Sequence, residues 1–191
     1  MPIVPDTKDW TWVLERACAD CGFDPAATPY EAVPGLVRES ADRFAAALER
    51  PDVRVRPDES TWSTLEYAAH VRDVCRIMTH RLGITLAAAA VPGPVISGYD
   101  PSVTVDAGIP MFANWDQDIT AEADDYATQS PAAVAAELGA AAESAARAYE
   151  SVPADQRARV ARRSNGSQFT VDTLGRYFLH DLVHHVHDVR A

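Results

Sequence analysis

Apolar residues recur at helical spacing along most of the chain, and proline, glycine and serine cut the pattern into segments. Trp10, Val13, Leu14 and Ala17 line one side of a short helix over residues 6–17, and Gly22, Pro25, Pro29 and Pro34 make 18–34 a loop. Pro34 suits the first turn of a helix to Leu48, whose stripe is Leu36, Val37, Ser40, Phe44, Ala47 and Leu48. Ser60 or Ser63 caps a second helix to residue 90, with Leu65, Ala68, Ala69, Val74, Ile77, Met78 and Leu82 facing inward. Pro92, Gly93, Pro94, Gly98, Pro101 and Gly108 make 91–109 a long loop, the expected lid of a pocket. Pro110 opens a third helix to Ala127, and Pro131 opens a fourth over 131–151. After an arginine-rich loop over 152–168, Thr170 caps a last helix over 171–190.

Strand signals are confined to Val53–Val55 and Phe169–Val171, both short. The pattern therefore predicts an all-α protein, a four-helix bundle over 34–191 preceded by a short N-terminal extension over 1–33. At 191 residues, 47% hydrophobic and 24% charged, the chain suits one folded domain with a sizeable core. A net charge of −11 disfavours nucleic acid and anionic membrane as partners. No apolar run reaches the length of a membrane span, about 20 residues, and the N-terminus has no secretory pattern. The odd set Cys18, Cys21 and Cys75 is then expected to be reduced, in the cytoplasm. Cys75 reads as core. Cys18-x-x-Cys21 is half of a zinc knuckle or a redox pair. With no second such pair, structural thiols in a loop are expected.

The histidines carry the chemistry. Four of the six, His180, His184, His185 and His187, fall within eight residues of the last helix. At about 100° per residue, His184 stands about 40° and His187 about 20° from His180, whereas His185 is about 140° away. Imidazoles on a packing face need partners, and a pair at i and i+4 chelates one metal ion. A third ligand from a facing helix completes a site with one open position. His70, beside Ala68 and Ala69, is the candidate, which gives His70, His180 and His184. His80 reads as a surface histidine, and His185 and His187 as solvated or supporting groups. Glu66, Asn114, Asp118, Arg176 and His187 are candidates to orient a ligand or touch a substrate. Asn114 and Asp118 are read as i, i+4 on the third helix.

Three stretches together resemble the DinB-like superfamily, in particular actinobacterial members related to mycothiol-dependent maleylpyruvate isomerases. They are His70 in a mid-chain helix, Asn114-Trp115-Asp116-Gln117-Asp118, and the run from Arg176 to Asp188. The resemblance covers about residues 34–190. It implies a four-helix bundle with a divalent metal, zinc, nickel or iron, on His70, His180 and His184. It implies a low-molecular-weight thiol as co-substrate, activated by the metal for attack on an electrophile, and an expected homodimer. The resulting expectation is a metal-dependent thiol S-transferase. The alternatives are a metal hydrolase using bound water and a non-catalytic helical ligand-binding protein.

Overall fold

The computed structural model describes residues 9–191. Four long helices make the body: α1 (Val33–Ala47), α2 (Thr64–Ala87), α4 (Pro131–Glu150) and α5 (Val171–Asp188), with a short α3 (Gln117–Ala123) between α2 and α4. Local chemistry sets their ends. Ser63 accepts from the backbone N–H of Glu66 while the Glu66 carboxylate accepts from that of Ser63, a reciprocal cap on α2. Thr170 and Thr173 do the same for α5, and Ser130 with Pro131 starts α4. Ala88, in the left-handed region at φ 51°, ends α2.

The helices bury their stripes against one another. Leu138 and Tyr149 of α4 and Leu174 and Phe178 of α5 belong to the helices that pack on α2, while Val37 and Phe44 belong to α1, which packs on α4 and α5. Burying each such large side chain contributes about 1.5–3 kcal/mol. Small residues set the spacing: a Cβ on Gly175 would stand 3.1 Å from the Tyr149 ring. Tyr149 is itself held where Tyr30 donates to its carbonyl oxygen at 2.9 Å.

The bundle is not the whole fold, so the all-α expectation is corrected. Four short strands form a sheet in the order β1 (Val103–Asp106), β2 (Ile109–Phe112), β3 (Val160–Arg163), β4 (Gln168–Thr170). The β1–β2 and β3–β4 pairs are antiparallel, and β2–β3 is parallel. Residues expected to belong to the loop 91–109 and to open the third helix at Pro110 are thus a hairpin. Its turn, Ala107 at φ 49° and Gly108 at φ 81°, has the two positive angles a tight two-residue hairpin requires. Pro110 is tolerated because it faces Val105 one pair out from the turn, and β3 begins to pair only at Met111. The expected helix at 6–17 is a 3-10 turn, Trp10–Leu14, and the part of it before residue 9 lies outside the described residues.

Candidate metal centres

Helix α5 carries two interleaved pairs of potential ligands. Its buried apolar residues are Val171, Leu174, Gly175, Phe178, Leu179, Leu182 and Val186. On a helical projection His185 and Asp181 lie about 60° and 100° from the middle of that stripe, and His180 and His184 about 160°. The first pair therefore borders the bundle core. The second points away from it.

Asp181 and His185 meet His70 of α2. Asp181 Oδ1 is 3.4 Å from His70 Nε2 and 3.4 Å from His185 Nε2. One ligand atom of each residue lies within 4.8 Å of the others. His185 Nδ1 lies 2.9 Å from Asp188 Oδ2, so donation there leaves Nε2 with its lone pair directed at the centre. His70 is fully buried, with Trp115 stacked on it at 5.3 Å and 7° and Trp62 at 5.3 Å. Tyr67 covers His185 at 4.9 Å. Burial pulls the His70 imidazole below its ordinary range despite the neighbouring carboxylate, so it is neutral and able to ligate. Burial works to raise the Asp181 carboxyl, but the imidazoles of His70, His185 and His180 outweigh it and hold the group at about 2. Both ring nitrogens of His70 and Asp181 Oδ1 are buried without a hydrogen bond. Such convergence of unsatisfied donor-set atoms fits a divalent cation, as two imidazoles and one carboxylate.

His180 and His184 meet the N-terminal extension instead. Cys18 Sγ lies 3.7 Å from His184 Nδ1, and Cys18, Cys21, His180 and His184 each offer an atom within 4.8 Å of the rest. Trp10 lies 5.7 Å from the His180 ring and 5.1 Å from that of His184, and Phe23 lies 5.6 Å from His180. Burial pushes His180 down to about 4 and lowers His184. It pushes the Cys21 thiol up to about 11.

The expected set of His70, His180 and His184 is therefore divided between two groups. Asp181 and His185 were missed, and His185, read as solvated or supporting, packs 5.0 Å from His70. The sequence held the signal, since Asp181-x-x-x-His185 has the same spacing and lies nearer the apolar stripe.

The remaining candidates do other work. Glu66 caps α2 and pairs with Arg56, whose Nε donates at 3.0 Å. Arg176 pairs with Asp172 at 3.0 Å and donates to the Pro25 carbonyl at 2.9 Å, tying the extension to α5. Asn114 precedes α3, so it does not share a helix turn with Asp118. Its backbone N–H donates to Ser164 at 2.9 Å. Asp118 sits in the first turn of α3, its backbone N–H donating to Asp116 at 3.1 Å. Between them Trp115 supplies the ring over His70, fixed where its Nε1 donates to Thr120 at 2.7 Å. His187 is exposed, 6.5 Å from the His184 ring. His80, expected at the surface, is buried, with Nδ1 2.8 Å from Tyr99 Oη and Nε2 3.0 Å from the Val91 carbonyl oxygen. The segment after α2 folds back over it. That segment lines an open cleft with Arg76, Thr79 and Gly83 rather than a lid over the α5 histidines. Cys75 is core, as expected.

Among the described residues no helix is long and apolar enough to cross a membrane. No curated protein matches the chain. A solved structure, YfiT from Bacillus subtilis, described as a probable metal-dependent hydrolase with an unusual four-helix bundle topology, superposes with a TM-score of 0.64 at 15% identity over 84% of each chain. The family model of the DinB superfamily matches residues 36–189, the whole bundle with its sheet, and the chain belongs to that superfamily.

Proposed function

We propose that the chain is a metal-dependent enzyme in which His70, Asp181 and His185 hold one divalent cation and leave a coordination position open to a nucleophile. The observation that carries this is the convergence of His70 Nε2 and Asp181 Oδ1, buried and without hydrogen bonds, with His185 Nε2. A cation held there lowers the pKa of a bound thiol or water and so supplies a nucleophile at neutral pH.

The chain's own groups do the rest. Asp188 holds the His185 ring in the ligating tautomer. Trp62, Tyr67 and Trp115 keep bulk water from the inner side. Asp181 and His185 are half-buried, which leaves that side for the reactants. We assign the nucleophile as a low-molecular-weight thiol of the mycothiol kind attacking an electrophile, the chemistry that the sequence resemblance implies. Hydrolysis with water as nucleophile is the second reading, favoured by the description of the YfiT structure.

The test is turnover of the metal-loaded protein on an electrophile with and without thiol, beside His70→Ala and Asp181→Asn. Thiol-dependent product that both variants lose by at least 100-fold supports S-transfer. Turnover without thiol supports hydrolysis. Wild-type protein that binds no metal overturns both.

A further inference from the structure

We propose that Cys18, Cys21, His180 and His184 form a second and closed metal site, a Cys2His2 centre that takes one zinc ion and fastens residues 10–24 to the outer face of α5.

The donor set is complete in number and type. Structural zinc is held by four protein ligands with none open, and Cys2His2 is one of its standard sets. Tetrahedral bonds of about 2.0–2.3 Å separate neighbouring ligand atoms by about 3.3–3.8 Å. Cys18 Sγ and His184 Nδ1 already stand 3.7 Å apart, and the whole group lies within 4.8 Å, so side-chain adjustment alone closes the site. Two thiolates and two neutral imidazoles balance a divalent charge. Thiolates select zinc over magnesium or calcium.

The backbone presents both thiols to one point. The Gly22 N–H donates to the Cys18 carbonyl at 3.0 Å, and the Cys18 N–H donates to the Phe23 carbonyl at 2.8 Å. Gly22 sits at φ 74°, in the left-handed region that favours glycine, and so turns the chain directly after the second cysteine. The two histidines stand one helical turn apart with rings 5.1 Å from each other.

A third observation points to a ligand. His180 Nε2 is buried without a hydrogen-bond partner, beneath Trp10, Trp12 and Phe23. A polar nitrogen on the outer face of α5 ordinarily reaches water. Here the extension covers it with aromatic rings and brings two cysteines with them. His184 Nε2 faces Asp188 at 3.9 Å, which leaves Nδ1 toward the thiols.

This site is independent of the His70–Asp181–His185 centre, and the experiment keeps the two apart. Zinc is measured per chain by elemental analysis in the wild type, in Cys18→Ser/Cys21→Ser and in Asp181→Asn/His185→Ala. Each double variant is expected to lose one metal and keep the other. Because removing both cysteines threatens folding, cobalt(II) is also loaded into the metal-free wild type and into Cys21→Ser. The wild type is expected to show a sulfur-to-cobalt charge-transfer band, which Asp181→Asn/His185→Ala retains and Cys21→Ser weakens. The proposal is overturned by a wild-type spectrum with no sulfur-to-cobalt band, or by a Cys18–Cys21 disulfide in freshly isolated protein. Loss of metal only from the Asp181 variant, with zinc in the cysteine variant unchanged from wild type, overturns it equally.

Discussion

At the scale of single residues, Gly93 and His80 show how tightly the segment after α2 is laid down. A Cβ on Gly93 would stand 2.6 Å from Pro101 Cβ and 2.9 Å from His80 Cε1. Gly93→Ala is therefore expected to cost about 1–3 kcal/mol by overpacking, read as a lower Tm in thermal unfolding. His80 adds a pH dependence. Burial lowers its pKa from 6.5, against the Val91 carbonyl that raises it. As pH falls below 6.5, the unfolded chain takes up a proton that the folded chain still refuses, so stability drops until the folded pKa is passed. Over pH 7.5 to 5, His80→Gln is expected to show a shallower fall in Tm than the wild type. A parallel pair of curves would remove His80 as a cause. Neither role was legible in sequence, because both depend on a loop folding back across a helix. The proposed ligand set was half legible. His70 was found, but Asp181 and His185 were passed over for the neighbouring pair, since spacing within a helix does not say which face meets α2.

At the scale of elements, the long helices were legible and the strands mostly were not: the signal at Phe169–Val171 overlaps β4, but Val53–Val55 forms no strand, β1 to β3 went unread, and the third helix is only Gln117–Ala123. Thr170 caps where the sequence suggested, Ser63 is the one of the two candidate serines that caps α2, and Ser130 caps α4 just before Pro131, because capping is local chemistry. Ser63→Ala is expected to cost about 1 kcal/mol, checked by denaturant unfolding, since the Glu66 N–H loses its acceptor. The strands escape because each has three or four residues, too few to alternate visibly, and because β2 finds β3 some fifty residues further on. The β1–β2 turn offers a gain. Ala107 adopts φ 49°, a left-handed conformation that costs an alanine more than an asparagine. Ala107→Asn, ahead of Gly108, is expected to raise stability by up to about 1 kcal/mol, and a lower Tm would contradict the turn assignment.

For the whole molecule, the bundle follows from four long apolar stripes, which is why its architecture was readable. The place of the N-terminal segment was not, because its few apolar residues name no partner. The family match begins at residue 36, whereas Cys18 and Cys21 precede it and still reach α5 across the fold. Ligands that bind only the folded chain stabilise it by mass action. Metal removal with a chelator is therefore expected to lower the Tm by several degrees and to make residues 9–24 sensitive to protease, while the bundle over 36–189 stays resistant. Unchanged cleavage of the N-terminal segment would mean that aromatic packing alone holds it.

The one-residue offset between the two ligand pairs on α5 also bears on how the chain's relatives vary. His180 and His184 answer to the cysteines of the extension, and Asp181 and His185 answer to His70. The pairs are therefore expected to be inherited as separate units. Relatives without Cys-x-x-Cys before the bundle should have lost both histidines of the outer pair together, yet keep the Asp and His beside them. Alternate positions on a single helical turn would then drift at different rates, one set tied to the proposed chemistry and the other to the N-terminal extension.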